Sequence, residues 1–151
     1  MNQQYKKRLQ YGENFENRFA QYLTRIGHRV ITFYRFDDNG APLLLGDKYN
    51  YILPDILAYK KSEASWFECK RKKRMPDGYT GYKLKCHEDY KKIQHLTGHR
   101  IFIAFEDEEE WYGNYLDELE KGPNKIIKIK GIKHIVFQYP KAFLRINNEP
   151  L

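Results

Sequence analysis

The spacing of apolar residues near the start of the chain predicts an amphipathic helix. Between about Tyr5 and Gly27, apolar side chains recur at intervals of three and four residues, which places them on one face of a helix. These residues are Phe15, Phe19, Tyr22, Leu23 and Ile26. Gly27 stands where a glycine commonly ends a helix.

The next segment predicts strands and turns. Arg29–Phe36 is rich in β-branched and aromatic residues, which favours a strand. The Asn39-Gly40 pair predicts a hairpin turn, with Leu43–Leu45 as a short return strand. A polar loop from Gly46 to Asn50 then leads into the middle of the chain.

Two apolar runs separated by a polar turn predict a central hairpin. The first strand begins at Pro54-Asp55 and continues to Tyr59, and the second is Trp66–Lys70. A helix is predicted from about Cys86 to Thr97. Ile101–Phe105 is continuously apolar, as in a strand buried on both faces. The predicted order is therefore helix, strand, strand, strand, helix, strand.

The remainder of the chain predicts a strand-rich extension. Glu106–Glu110 is predicted as an acidic loop, and the leucines of Leu116–Glu120 predict one or two helical turns. Ile126–Ile129 and Ile132–Tyr139 are predicted strands that extend the sheet.

Length and composition indicate one soluble domain. The chain has 151 residues, of which 41% are hydrophobic, enough for a substantial core. We expect a single domain over 1–151, with a core of about 12–106 and a C-terminal extension of about 107–151. No apolar run is long enough for a membrane span or resembles a signal peptide. Both cysteines are expected to be free thiols, and an intracellular, cytoplasmic location with no membrane partner follows.

The net charge of +7 is concentrated in one part of the chain. Residues 60–100 contain twelve Lys or Arg against five Asp or Glu, while the rest of the chain balances. A local basic field favours a polyanionic partner, because phosphate contacts dominate the affinity of proteins for nucleic acids. A solvated lysine-rich surface is the alternative interpretation.

The central hairpin carries residues suited to phosphate chemistry. Glu68 and Lys70 alternate with Cys69 and therefore share one face of their strand. If the two strands pair, Asp55 can reach the same place. Carboxylates are the oxygen ligands that hard cations such as Mg²⁺ prefer. A lysine beside them adds positive charge where a phosphoryl transition state is negative.

This pattern resembles the PD-(D/E)XK nuclease superfamily, with Pro54-Asp55 as the first half of its motif and Glu68-Cys69-Lys70 as the second. The element order is also that of the superfamily, over roughly residues 12–106. The resemblance implies an α/β, restriction-endonuclease-like αβββαβ core with a mixed central sheet flanked by helices. A second D-x-K match, Asp89-Tyr90-Lys91, lies in a predicted helix, where residues i and i+2 do not face each other.

The resemblance implies a metal-dependent endonuclease that hydrolyses phosphodiester bonds in DNA. Asp55 and Glu68 are expected to bind Mg²⁺, for which Mn²⁺ can substitute, together with the backbone carbonyl of Cys69. Glu16 matches a first-helix glutamate that joins the metal site in Holliday-junction-resolvase-like members. Lys70 is expected to orient or help deprotonate the attacking water, or to stabilise transition-state charge. Opposite charges keep a lysine protonated, which favours the orienting and charge-stabilising roles over that of a general base.

A basic segment follows the motif and is expected to contact DNA. It combines basic side chains with tyrosines on a Pro/Gly-containing loop, a combination that suits backbone binding and base stacking. The expected nucleic-acid-binding residues are Arg71, Lys72, Lys73, Arg74, Tyr79, Tyr82, Lys83 and Lys85. The second helix in related families contributes an auxiliary site residue, for which the candidates are Gln94, Lys91 and Tyr90.

Other functions stay open at the level of the sequence. The fold could serve a catalytically silent module that binds nucleic acid or a protein partner, or a ribonuclease. No motif in the sequence indicates base-specific reading, so structure-selective or weakly sequence-specific cutting is expected. A zinc site at His95 and His99 is disfavoured, because Gly98 is expected to end the helix between them. A homodimer, as in resolvases, is a further expectation.

Overall fold

The computed structural model describes residues 3–32 and 43–147, with the side chains of these ranges apart from residues 4–14. The end of the predicted 29–36 strand and the predicted Asn39-Gly40 turn lie outside the described residues. Within the described part of the chain, no helix is both long and apolar enough to cross a membrane.

The described residues form three helices and eleven strands. In order, these are α1 (Gln3–Arg25), β1 (Arg29–Thr32), β2 (Leu43–Leu45), β3 (Asn50–Ile52), β4 (Ile56–Lys60), β5 (Glu63–Arg71), β6 (Tyr79–Lys83), α2 (Leu84–Thr97), β7 (Ile101–Asp107), β8 (Glu110–Tyr115), α3 (Leu116–Lys121), β9 (Asn124–Ile129), β10 (Ile132–Gln138) and β11 (Leu144–Ile146).

A mixed six-stranded sheet of order β1-β4-β5-β7-β8-β11 forms the centre of the molecule. The predicted hairpin is present, since β4 and β5 pair antiparallel with Ile56 opposite Phe67. β5 and β7 run parallel, and α2 lies between them in the chain. The series α1, β1, β4, β5, α2, β7 therefore confirms the predicted α/β fold class with a central mixed sheet flanked by helices.

Aromatic residues of α1 pack on one face of this sheet. Phe15 and Phe19 lie 5.3 and 5.6 Å, centroid to centroid, from Trp111 of β8. Phe19 also contacts Phe67 of β5, and Cys69 belongs to the same buried cluster. Because side chains alternate along a strand, the residues next to Phe67 and Cys69 face the other side of the sheet.

The opposite face is covered by α2 and by a second sheet of order β6-β10-β9. Tyr82 of β6 packs against Phe105 of β7 and against Phe137 of β10. The strands β9 and β10 were expected to extend the central sheet, and this expectation is wrong. β10 pairs with β6 and β9 pairs with β10, whereas β11 extends the central sheet beside β8.

Several local predictions also need correction. The segment after the basic run, expected as a loop, contains β6, and α2 begins at Leu84 rather than at Cys86. β2 pairs with β3, and β1, the described part of the preceding strand, pairs with β4. The acidic segment is a tight hairpin, because Glu106 and Asp107 end β7 and Glu110 begins β8.

Candidate functional site

Asp55 comes immediately before β4, and its carboxylate is held by the backbone of β5. The residue is 4% exposed. Its Oδ2 accepts a hydrogen bond of 2.8 Å from the backbone N–H of Cys69. The β4–β5 ladder ends at Ile56 and Phe67, so the side chain satisfies an N–H just beyond the last paired residues. This bond joins the two halves of the sequence motif.

Glu68 and Lys70 lie together on the face of β5 that α2 covers. Lys70 Nζ is 3.0 Å from Glu68 Oε1, and Glu68 is 5% exposed. Burial by itself lowers the pKa of Lys70, but the charges of Glu68 and Asp55 outweigh it and raise the pKa above the ordinary value. Lys70 is therefore a fixed positive charge beside two carboxylates.

Two tyrosines enclose the ammonium group of Lys70. Its Nζ lies 5.7 Å from the ring centroid of Tyr82 and 5.8 Å from that of Tyr90, within the range of cation–π attraction. Burial and the charge of Glu68 raise the pKa of Tyr90 well above its ordinary value, and the two side chains are hydrogen-bonded. Tyr90, one of the α2 candidates, thus contacts the motif residues.

The other two α2 candidates contact α3 instead. Gln94 donates to Asp117 at 2.9 Å and accepts a hydrogen bond from the backbone N–H of Ile101. Lys91 Nζ lies 3.1 Å from Glu120 Oε1. The structure therefore does not bring Gln94 or Lys91 to the motif carboxylates, and both connect α2 to its neighbours.

Tyr82 is held in place by a chain of hydrogen bonds through His87 to Glu120. Neither His87 nor Glu120 was predicted from the sequence to be part of the site. The Tyr82 hydroxyl lies 2.7 Å from Nδ1 of His87, and Nε2 of His87 lies 2.8 Å from Glu120 Oε1. Burial lowers the pKa of His87 despite the neighbouring Glu120. Tyr82 is 2% exposed, which corrects the expectation that its ring lies on an exposed loop for base stacking. Its ring forms a wall of the site beside Lys70.

Glu16 approaches the motif from the other side of the sheet. The helix that carries it, α1, packs on the face opposite to Glu68 and Lys70. Burial and then the charges of Asp55 and Glu68 raise the pKa of the Cys69 thiol, and the charge of Glu16 adds to this effect. Glu16 is therefore close to the motif strand, on a helix that packs on the face opposite to the Glu68–Lys70 pair.

A buried carboxylate on β7 fixes α1 against the sheet. Glu106 is 1% exposed and accepts hydrogen bonds from Arg18 of α1 and, at 2.7 Å, from the indole N–H of Trp111. Arg71 Nε lies 2.9 Å from Oε1 of the same carboxylate. Arg18 is two residues from Glu16 along α1, so this cluster also sets the position of Glu16.

Both arginines of the basic run are engaged by acidic side chains. Arg71 is bound to Glu106, and Arg74 is bound to Asp107 at 2.9 Å and to Glu110 at 3.2 Å. The acidic segment Glu106–Glu110 therefore neutralises these arginines. Their guanidinium groups hold β5, β7 and β8 together.

The lysines and the remaining tyrosine of the basic segment have different environments. Lys72 Nζ donates to the backbone oxygen of Gly81 at 2.7 Å. Lys72, Lys73 and Lys83 are all exposed, as is Lys85, which lies 3.8 Å from Asp89. The Tyr79 ring is half-buried, and Lys125 Nζ lies 4.1 Å from its centroid.

The donor atoms at Asp55 and Glu68 suit a hard divalent cation. Mg²⁺ is commonly held by one or two carboxylates, with waters and substrate phosphate completing its coordination. Two neighbouring buried carboxylates meet this requirement. Across residues 3–32 and 43–147, no group of three or more His, Cys, Asp or Glu is arranged to hold a metal ion. In this arrangement Glu16 does not complete a larger ligand cluster.

Comparison with known proteins bears on the fold. No protein-family model and no curated protein matches the chain. Among solved structures, Hjc, a Holliday junction resolvase from the archaeal hyperthermophile Archaeoglobus fulgidus, is similar with a TM-score of 0.60. Sequence identity is 18%, over 90% of this chain and 92% of that chain. The chain has a resolvase-like nuclease fold. At this level of identity the likeness concerns the fold alone.

Proposed function

We propose that this protein is a metal-dependent endonuclease that hydrolyses phosphodiester bonds in DNA. The observation that carries the proposal is the convergence of Asp55, Glu68 and Lys70 in one largely buried cluster. The cluster forms where the sequence matches the PD-(D/E)XK pattern. The similarity in fold to a Holliday junction resolvase supports a nuclease activity at a coarse level.

Asp55 and Glu68 would hold Mg²⁺ or Mn²⁺. A bound ion of this kind polarises a phosphoryl oxygen and lowers the pKa of a bound water. The N–H of Cys69 orients Asp55, while Tyr90 and Lys70 orient Glu68. The backbone carbonyl of Cys69 and the carboxylate of Glu16 are proposed as further ligands once substrate is bound.

Lys70 acts as a charge rather than as a base in this mechanism. Its raised pKa keeps the ammonium group protonated at neutral pH. A fixed positive charge in a poorly solvated site stabilises the negative charge that develops on the phosphoryl group. Tyr82 and Tyr90 limit the positions that this ammonium group can adopt.

DNA is the proposed substrate because lysines follow the motif strand and line β6. Cations that contact backbone phosphates do so regardless of base sequence. We therefore propose structure-selective or weakly sequence-specific cutting, by a protein that acts as a homodimer in the cytoplasm.

A panel of substrates tests the activity and its specificity. Linear duplex, nicked duplex, single-stranded DNA, a four-way junction and RNA are incubated with purified protein in Mg²⁺, in Mn²⁺ and in EDTA. We expect DNA cleavage that requires the cation and differs among the DNA forms. Cleavage of RNA alone would favour a ribonuclease. Binding to DNA without cleavage in any cation would favour a silent binding module.

Matched variants test the site. Asp55→Asn, Glu68→Gln and Lys70→Met each remove one charge from the cluster. Asp89→Asn is the control, because Asp89 belongs to the second D-x-K match in the sequence and lies on α2. We expect each cluster variant to lose activity by about 10²-fold or more, with the control close to wild type. Full activity in any cluster variant would contradict the assignment of that residue.

A further inference from the structure

Lys72 lies between the motif strand and β6. Its backbone N–H donates to Glu106 O at 3.0 Å, which continues the pairing of β5 with β7 by one residue. Because side chains alternate along an extended segment, Lys72 lies on the same side as Lys70, whereas Lys73 lies on the opposite side. The hydrogen bond from Nζ to Gly81 then directs the ammonium group of Lys72 towards β6.

Lys83 ends β6 and brings a further charge to this place. Tyr82 is directed into the core, so Lys83, the next residue, is directed outward. Its register partner on β10 is His134. The charge of Lys83 makes a small contribution to the lowered pKa of Lys72, and Lys83 lies two residues after Gly81, whose backbone oxygen binds the Lys72 ammonium group.

Like charges are therefore crowded at the edge of the site. Burial of the ammonium group and the charge of Lys70, with a smaller effect of Lys83, lower the pKa of Lys72 to about 8. Among the residues that the structure describes, no carboxylate forms an ion pair with Lys72 or Lys83. Lys70 differs from them, because Glu68 compensates its charge.

We propose that Lys72 and Lys83 form a phosphate-binding pair that holds a backbone phosphate of the nucleic acid next to the Asp55–Glu68–Lys70 cluster. A phosphate relieves the repulsion between two ammonium groups, since it supplies the missing counter-charge. The proposal deepens the proposed function, on which it rests, by assigning the substrate contact to two lysines out of the longer basic segment.

The neighbouring cations do not share this arrangement. Arg71 and Arg74 are bound to acidic residues of β7 and β8. The side chain of Lys73 lies on the opposite side of the extended segment from that of Lys72, and Lys85 has Asp89 as a partner. Lys73 and Lys85 are therefore matched controls, since each lies within two residues of its counterpart and carries the same charge.

Binding measurements in EDTA test the pair without any cleavage. A fluorescent 30-base-pair duplex is titrated with wild type, with Lys72→Gln/Lys83→Gln and with Lys73→Gln/Lys85→Gln, at several salt concentrations. We expect the first double variant to bind about tenfold more weakly, with the slope of log K against log salt reduced by about two. The control variant should change both quantities less. Equal effects of the two double variants would overturn the proposal.

Charge rescue separates contact from folding. Lys72→Arg/Lys83→Arg keeps both charges and should bind closer to wild type than the glutamine variant does.

Amine acetylation of the wild-type protein, read by mass spectrometry, gives a measurement that needs no substitution. Added duplex should protect Lys72 and Lys83 more strongly than Lys73. Equal protection of all three lysines would contradict the proposal even if the glutamine variant fails to fold.

The outcomes also separate this inference from the proposed function. If the wild-type protein cleaves DNA and the Lys72→Gln/Lys83→Gln variant binds DNA as tightly as wild type, the nuclease proposal stands and the proposal of a phosphate-binding lysine pair is overturned. Specific loss of binding by that variant, in a protein that cuts no substrate in any cation, would support the pair and overturn the nuclease proposal.

Discussion

The backbone N–H of Cys69 donates a 2.8 Å hydrogen bond to the carboxylate of Asp55. This bond crosses from the middle of β5 to the residue that precedes β4. It has two effects, because it satisfies a buried N–H and points a carboxylate towards the strand that carries Glu68. The position of a proposed metal ligand is therefore part of the backbone hydrogen bonding of the sheet.

Asp55 should contribute to stability separately from activity. Asp55→Ala removes the acceptor of the Cys69 N–H, whereas Asp55→Asn removes the charge and keeps an acceptor oxygen. A buried donor without an acceptor costs about 1–3 kcal/mol. We expect the free energy of unfolding in urea to be lower for Asp55→Ala than for Asp55→Asn by about that amount, while both lose cleavage. Equal stabilities would show that this hydrogen bond contributes little.

Glu106 should be more important for stability than its position outside the motif suggests. Glu106→Ala leaves Arg18, Arg71 and the Trp111 indole without their shared acceptor. Removing one member of a buried ion pair costs about 3–5 kcal/mol. Arg18→Ala should cost less, because the Arg18 side chain is 45% exposed. Chemical denaturation of both variants checks the order, and a larger loss for Arg18→Ala would contradict it.

His87 should make the fold sensitive to mild acid. Its pKa in the folded protein is below the ordinary 6.5 because of burial, so the unfolded chain takes up this proton at a higher pH. The contribution of neutral His87 is complete above about pH 6.5 and is lost as the pH falls below that value. We expect urea stability to decrease between pH 7 and pH 5.5, by at most about 1.4 kcal/mol per pH unit for this group.

Substitution isolates the His87 contribution. Glutamine can donate and accept hydrogen bonds but does not titrate, so His87→Gln should flatten the decrease in stability below pH 6.5. Part of the decrease should persist, because burial and Lys60 also lower the pKa of His28. The exposed His95, replaced by glutamine, is the control. An unchanged pH profile in His87→Gln would contradict this account.

Gly81 should not tolerate a side chain. A Cβ at this position would lie 1.9 Å from the backbone oxygen of Ile135 on β10, so the two strands would have to move apart. We expect Gly81→Ala to cost at least about 3 kcal/mol, the upper end of ordinary overpacking. Gly131→Ala is the comparison, since its site is open and only the positive φ of 80° opposes the change, at about 1–2 kcal/mol. Equal losses in thermal or urea unfolding would contradict the close contact.

Lys70 should be replaceable in part by another cation. If its role is positive charge, Lys70→Arg retains more activity than Lys70→Met, because the guanidinium group stays protonated. Single-turnover cleavage rates at saturating protein compare the two variants. Activity in Lys70→Met equal to that in Lys70→Arg would exclude a charge-stabilising role.

The motif cluster was predictable because its members lie close together in the chain. Asp55, Glu68 and Lys70 belong to two adjacent strands of one hairpin, and the period of a strand alone places Glu68 beside Lys70. The end of α2 was also predictable, because the signal for it is a single residue at the helix terminus. Gly98 adopts the left-handed conformation, with φ of 69°, that commonly ends a helix.

The walls of the site could not be predicted in this way. Tyr82 belongs to a strand that contains a glycine and follows a turn, so its local pattern favours a loop, and its partner β10 lies about fifty residues later. Arg18 and Glu106 are separated by 88 residues. The surplus of basic residues in this part of the sequence predicted that Arg71 and Arg74 bind nucleic acid. The sequence does not show that the sheet brings Glu106 and Asp107 against them.

The pairing of β6 with β10 has a consequence for the order of events during synthesis. A chain emerges from the ribosome with its N-terminal residues first. The hairpin with Asp55, Glu68 and Lys70 can pair early, yet β6 gains its partner only when residues 132–138 have emerged. Because β6 carries Tyr82 and Lys83, the nascent chain would form the Asp55–Glu68–Lys70 cluster before these two side chains are in place beside it. The complete site is then a feature that the polypeptide acquires late in translation.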